Sequence, residues 1–169
     1  MESSDAIQKI LPAFEQYYTV QKDNVTPPFC AEAEFRSHNE QYFLVRAAHI
    51  ADIDSNEFVY FATPEELSTG KLDELVNAAW TSGLAKVKPY NGHRNSDVSL
   101  LIFTKSINPE TISAIKKIKL YKSYKFSFYG WSHFKLAVVE LDTQRIYFNR
   151  FGKQYLNLLN KNIFGGIKK

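Results

Sequence analysis

A single cysteine, Cys30, is the only thiol in the sequence, so the chain forms no internal disulfide. It also has only 7 glycines and 6 prolines and no low-complexity tract, which excludes collagen-like and Pro/Gly-rich disordered proteins. Its longest apolar run, Leu100 to Phe103, is far shorter than the roughly 20 residues of a membrane-spanning helix. The opening residues MESSDAIQK have neither the basic nor the apolar region of a secretory signal peptide. We therefore expect a soluble cytoplasmic protein.

The residues that are present have the composition of a globular domain. Hydrophobic residues make up 44% of the 169 residues and charged residues 23%, close to the averages of folded proteins. This length is enough to bury a hydrophobic core without disulfides or metals. We expect one domain over residues 1–169, with a flexible tail at residues 164–169 and no cofactor.

The net charge of +3 conceals two segments of opposite sign. Residues 32–74 have a net charge of −7, and residues 105–169 have a net charge of +10. Such a division is typical of proteins that bind a charged partner or that associate with copies of themselves. It also arises when two oppositely charged halves of one fold face each other. The charge pattern leaves these three interpretations open.

A similar apolar rhythm occurs twice, in residues 29–62 and in residues 120–149, and each segment predicts three short strands. A shift of 91 places aligns Phe35 with Phe126 and Phe43 with Phe134. The pattern fits an internal repeat with units 5–83 and 98–160, and it equally fits two ordinary β-meanders.

Helix signals separate these strand segments. Apolar residues at helical spacing after Ser3 predict a first helix, and Thr63-Pro64-Glu65-Glu66 predicts the capped start of a second. A third is predicted to begin at Asn108-Pro109-Glu110, and a last one covers about residues 153–159. Residues 98–104 are apolar on both faces, which predicts a buried central strand. The expected fold is α+β: a large, mainly antiparallel sheet from two meanders and one central strand, with helices packed on one face.

The polar loop before that central strand is one candidate site. His93 is a candidate general acid or base, and Asp97 is placed in sequence to orient it. Arg94 and Asn95, with Arg46 from an earlier strand, are candidate residues for binding an anionic ligand. The alternative is a structural loop whose side chains satisfy its own backbone.

No metal site is predicted. His38, His49 and His133 are scattered without ligand spacing. Asp52, Asp54 and Asn56 imitate the start of a calcium loop, but its glycine and its final glutamate are missing.

Six lysines accumulate between residues 105 and 125 with Glu110 as the only acidic residue. Aromatic residues are interleaved with them or follow them: Tyr121, Tyr124, Tyr129 and Trp131. Lysines beside exposed aromatic rings are typical of single-stranded nucleic-acid binding. The alternative is a solvated helix face with the aromatic rings inside the protein. The candidate nucleic-acid contacts are Lys116, Lys117, Lys119, Lys122 and Lys125.

No catalytic motif accompanies these candidates, so the leading hypothesis is a non-enzymatic recognition domain. It would bind a protein partner or a second copy of itself through a charge-polarised, aromatic-rich sheet. Single-stranded nucleic-acid binding through the lysine-rich segment is one alternative. An enzyme or anionic-ligand site at the His93–Asp97 loop is the other.

Overall fold

The computed structural model describes residues 1–36, 55–89 and 95–166. Within these ranges the helices are α1 (Ser3–Glu15), α2 (Thr69–Lys86), α3 (Pro109–Lys117) and α4 (Leu156–Phe164), with a 3₁₀ helix at Gly152–Tyr155 before α4. The strands are β1 (Thr19–Gln21), β2 (Ala31–Phe35), β3 (Ser55–Ala62), β4 (Glu66–Leu67), β5 (Asn95–Thr104), β6 (Ser106–Ile107), β7 (Tyr121–Ser123), β8 (Trp131–Glu140) and β9 (Arg145–Phe148).

Seven of the described strands form one mixed sheet in the order β1-β2-β3-β5-β8-β7, and β9 also pairs with β8. The pairs β3–β5 and β5–β8 are parallel, whereas β1–β2, β2–β3, β7–β8 and β8–β9 are antiparallel. The two parallel connections run through α2 and α3, as expected because parallel neighbours need a crossover. A separate two-stranded parallel ladder joins β4 to β6.

Helices cover both faces of the sheet. One core packs α1 and α4 against alternate residues of the central strands, including Val59, Leu101 and Val139. The other packs α2 and α3 against the intervening residues, including Leu100 and Leu136. The α+β class and the predominantly antiparallel pairing are thus confirmed, and the expectation of helices on one face is wrong. The cause is the crossovers, which place α2 and α3 opposite α1.

The predicted central strand is confirmed and is longer than expected. All ten residues of β5 are buried, and β5 lies between β3 and β8. Its polar start, residues 95–97, belongs to the strand and not to the preceding loop. The capping signal at Thr63 is wrong, because α2 begins at Thr69 and Ser68 accepts a hydrogen bond from the Lys71 N–H.

The internal repeat is not confirmed. The second predicted meander is present as β7, β8 and β9. In the first, β2 and β3 pair directly, and the predicted strand at residues 42–50 lies outside the described residues. The aligned pair Phe35 and Phe126 differs in environment, with 1% and 95% of the residue exposed.

No helix in the described part of the chain is both long and apolar enough to cross a membrane.

Candidate functional site

Charged and hydroxyl side chains are buried together near the amino-terminal ends of β3, β5 and β8. The strand register aligns Glu57 with Asp97 and Ser99 with Lys135. Because side chains two residues apart on a strand share a face, all four lie on the face that α1 and α4 cover. We use the name charged network for these four residues together with two tyrosines that contact them: Tyr18 and Tyr155.

Glu57 is fully buried and accepts hydrogen bonds from three hydroxyl groups. The Tyr18 hydroxyl donates to Oε2 over 2.7 Å, and the Ser99 hydroxyl donates to Oε1 over 2.5 Å. The Tyr155 hydroxyl donates to Oε1 as well. Burial, followed by the charge of Glu57, raises the pKa of Tyr18 and of Tyr155 well above the ordinary value. Both phenols therefore stay protonated and act as donors to Glu57.

Lys135 joins the two buried carboxylates. Its Nζ lies 3.4 Å from Oε1 of Glu57 and 3.0 Å from Oδ2 of Asp97, and the lysine is only 3% exposed. Burial alone would lower the pKa of Lys135, but the charges of Glu57 and Asp97 outweigh it and the net pKa is raised. The lysine is therefore a cation, and its ammonium group lies within salt-bridge distance of both carboxylates.

Asp97 connects this network to the protein surface. Its Oδ2 accepts from Asn95 Nδ2 over 3.2 Å, and its Oδ1 accepts the backbone N–H of His133 over 3.1 Å. The Nδ1 atom of His133 lies 3.8 Å from the same Oδ1 atom. The His133 side chain is 25% exposed. The polar contacts of the charged network therefore extend to solvent at His133, whereas Glu57 and Lys135 are enclosed.

Replacement of Tyr155 with phenylalanine tests the importance of the network for folding. We expect the free energy of unfolding to fall by roughly 1.5–3 kcal/mol, since a buried hydrogen bond to a charged group is lost without a change of ring packing. Urea unfolding followed by tryptophan fluorescence measures this loss. The control is Tyr121→Phe at a residue that is 51% exposed, where we expect almost no change. Equal effects of the two substitutions would contradict a stabilising role for the network.

Of the residues proposed for the His93–Asp97 site, the structure describes Asn95 and Asp97. Both are buried in β5, so the prediction that they lie in a loop is wrong for these two residues. Asp97 contacts His133 and Lys135, neither of which was predicted to be a site residue. His93, Arg94 and Arg46 lie outside the described residues. Within residues 1–36, 55–89 and 95–166, no group of three histidine, cysteine or acidic side chains is arranged to hold a metal.

A second candidate surface is the hairpin formed by β7 and β8. We use the name lysine–aromatic hairpin for residues 121–131. Phe126 is 95% exposed and Phe128 is 78% exposed, the two most exposed aromatic residues in the described part of the chain. Large exposed aromatic side chains rimmed by polar residues are typical of interaction sites.

The backbone of this hairpin loop is ordered in an unusual conformation. Lys125, Phe126 and Ser127 have positive φ angles of 46°, 54° and 71°. The left-handed region costs a non-glycine residue roughly 1–2 kcal/mol. Main-chain hydrogen bonds within the loop offset part of this cost, among them the bond from the N–H of Tyr124 to the carbonyl of Gly130 at 2.9 Å. Strained backbone of this kind clusters at functional sites, and the exposed Phe126 is one of its three residues.

Lysines follow the chain from the end of α3 to this loop. Five are exposed, and none forms a salt bridge with an acidic residue in the described ranges: Lys116, Lys117, Lys119, Lys122 and Lys125. Lys105 differs, because its Nζ lies 3.1 Å from Glu2 and 2.8 Å from Glu65. The candidate cationic surface therefore begins at Lys116.

Two of these lysines lie over aromatic rings. The Nζ of Lys122 is 5.6 Å from the ring centre of Tyr124, and the Nζ of Lys125 is 4.4 Å from that of Tyr129. These are cation–π distances. Ile115 of α3 is buried, as the solvated-helix alternative requires. The other part of that alternative, aromatic rings inside the protein, is wrong for Tyr121, which is half exposed.

Comparison with known protein families identifies the family to which this chain belongs. The family model for the domain of unknown function DUF8052 matches residues 2–161, so the chain belongs to that family. No curated protein and no solved structure matches the chain.

Proposed function

We propose that this chain is a recognition domain that binds single-stranded nucleic acid through the lysine–aromatic hairpin and the lysines that precede it. The observation that supports this function is the exposure of Phe126 and Phe128 beside lysines that lack acidic partners in the described residues. A single nucleic-acid strand presents phosphates to the lysine ammonium groups and unstacked base faces to the phenyl rings.

The combination of charge and rings distinguishes this ligand from others. In a duplex the base faces are stacked on one another, so exposed phenyl rings at a hairpin tip gain little from it. An apolar patch on a protein partner would match the rings but leave the five lysines without counter-charges. The net charge of +10 over residues 105–169 favours a polyanion. A single nucleic-acid strand can bind the lysines through its phosphates and the phenyl rings through its bases at one surface.

Charge reversal of Lys116, Lys117 and Lys119 to glutamate tests the phosphate contacts. We expect the triple variant to bind a fluorescent dT oligonucleotide at least about tenfold more weakly at low salt. The slope of log affinity against log salt should shrink by about 2, since each phosphate contact to a single strand contributes roughly 0.7. Fluorescence anisotropy over a range of salt concentrations measures both quantities.

The matched control reverses three exposed lysines elsewhere: Lys9, Lys88 and Lys161. It changes the net charge equally and should retain most of the affinity. Phe126→Ser combined with Phe128→Ser should weaken binding by about tenfold without loss of stability, because base stacking on an aromatic ring contributes roughly 1–3 kcal/mol. Equal losses in the two lysine variants would indicate a non-specific charge effect. The proposal fails if the protein binds no oligonucleotide at low salt, or if it binds only anionic vesicles, a protein or itself.

A further inference from the structure

Three rings and one guanidinium form a row beside the lysine–aromatic hairpin. The Tyr121 ring centre is 5.2 Å from that of His133, and the His133 ring centre is 4.4 Å from that of Phe151. The guanidinium carbon of Arg150 lies 5.6 Å from the Phe151 ring centre. We use the name ring row for Tyr121, His133, Phe151 and Arg150. It links edge strand β7, strand β8 and the turn before the 3₁₀ helix.

Strand pairing and main-chain hydrogen bonds hold the backbone of this row in place. Tyr121 and His133 are cross-strand partners, so their side chains share one face of the sheet. The backbone N–H of His133 donates to Asp97, which the charged network holds in place. The turn of Phe151 is anchored by Asn149, whose side-chain oxygen accepts the N–H of Gly152 over 2.8 Å. Tyr121 is therefore half exposed but backed by rigid structure.

We propose that the ring row is a second base-stacking position, where an unpaired base stacks on the exposed side of Tyr121 and Arg150 binds a backbone phosphate. This inference rests on the proposed function and extends its contact surface from the hairpin loop across β7 to the turn at Arg150. The loop rings of Phe126 and Phe128 are almost free of protein contacts and must be ordered by the ligand. Tyr121 is already held by its neighbours, so it loses less conformational entropy on binding.

His133 gives this position a dependence on pH. The charged groups that face it are Asp97 from β5, Lys135 from β8 and Arg150 from the turn. Burial lowers the pKa of His133, Asp97 opposes that shift, and the two cations reinforce it, so the net pKa is below the ordinary 6.5. The imidazole is therefore neutral near pH 7, and it gains a proton only at a lower pH than an ordinary histidine. The added positive charge in the ring row should strengthen phosphate binding.

Four variants and the anisotropy titration with the dT oligonucleotide test the ring row. Tyr121→Leu should weaken binding about tenfold, and Tyr121→Phe, which keeps the ring, should bind like the wild type. Arg150→Glu should weaken binding by a similar factor, whereas Arg145→Glu should not, because Arg145 is an exposed residue of β9 that pairs with Glu140 at the far end of β8.

The pH profile separates a contact role from a merely structural one. Wild-type affinity should rise a few-fold between about pH 7.5 and about pH 5.5, and His133→Phe, which preserves a ring but cannot titrate, should lose that rise. Thymine does not titrate in this range, so the oligonucleotide contributes no rise of its own. If the lysine variants weaken binding while Tyr121→Leu and Arg150→Glu bind like the wild type, the ring row is overturned and the proposed function stands. An identical pH profile for wild type and His133→Phe also overturns it. Absence of any oligonucleotide binding removes both proposals.

Discussion

Replacement of Gly152 with alanine should lower the free energy of unfolding by about 3 kcal/mol or more, at the upper end of the costs of overpacking. A Cβ atom at this position would lie 1.9 Å from the backbone oxygen of Leu136 and 2.5 Å from its carbonyl carbon. Leu136 is fully buried in β8, so its carbonyl group cannot move away from this Cβ atom without displacing the strand. Urea unfolding measures the loss, and circular dichroism verifies that the variant is folded.

Two other glycines supply graded controls for this prediction. At Gly70, in the first turn of α2, a Cβ would meet nothing within 4 Å, so Gly70→Ala should be neutral or stabilise by up to about 1 kcal/mol. At Gly83 a Cβ would lie 2.4 Å from a methyl carbon of Val98, a side chain that can shift, so an intermediate loss of about 1–3 kcal/mol is expected. If Gly152→Ala costs no more than Gly83→Ala, the packing of the 149–152 turn on β8 is looser than the distances indicate.

This turn also connects the stability of the fold with the proposed binding surface. The side-chain oxygen of Asn149 accepts from Leu136 N at 2.9 Å and from Gly152 N at 2.8 Å. Its Nδ2 donates to the carbonyls of Ile118 and Phe134 at 3.1 and 2.9 Å. One buried amide thus joins β8, the end of α3 and the 3₁₀ helix. Arg150 and Phe151 of the ring row lie between Asn149 and Gly152, which this hydrogen bonding holds in place.

The sequence predicted correctly those helices and strands whose signals come from residues adjacent in the chain. The apolar run from Val98 identified a central strand, and Asn108-Pro109 identified the start of α3, because both signals depend on neighbouring residues alone. The signal at Thr63 failed because of a distant contact. The Thr104 hydroxyl donates to the carbonyl of Glu65, and β4 pairs with β6, so this segment is extended.

The charged network left a weak signal in the sequence. Asp97 and Ser99 flank Val98 where the apolar run of β5 begins, and Lys135 interrupts the apolar residues of β8. A buried charge in such a strand requires a partner, so each of these residues predicts an unseen contact. The partners come from three distant segments, and only the parallel order of β3, β5 and β8 brings them together. Sequence periodicity does not contain that order.

The apolar pattern of the sequence did not show which aromatic rings are exposed. Phe126 fits the apolar rhythm that places Phe35 in the core, yet its backbone has a φ of 54° and its side chain points to solvent. The left-handed conformation of three successive residues has no glycine signal in the sequence, because they are Lys125, Phe126 and Ser127. Tertiary structure was therefore needed to separate the exposed aromatic residues from those of the core.

Replacement of Lys135 with methionine should lower the free energy of unfolding by about 3–5 kcal/mol. Methionine fills a similar volume, but it leaves Glu57 and Asp97 buried without the only lysine that contacts them among the described residues. Because pairing with Glu57 and Asp97 outweighs burial and raises the pKa of Lys135, its stabilising contribution is fully present below its unfolded pKa and is lost as pH rises through the folded value. Between about pH 5 and about pH 9 the wild-type lysine therefore contributes a constant amount.

The loss in Lys135→Met should arise from the two buried carboxylate charges that no longer have a cationic partner. Two further variants define the cause. Lys71→Met, which breaks a surface pair with Glu74, should cost less than about 1 kcal/mol. The triple change Lys135→Met, Glu57→Gln and Asp97→Asn should recover part of the loss, since no unpaired charge remains. A loss below about 1 kcal/mol would show that solvent or another cation reaches the carboxylates. The register of the three parallel strands would then depend on their apolar packing alone.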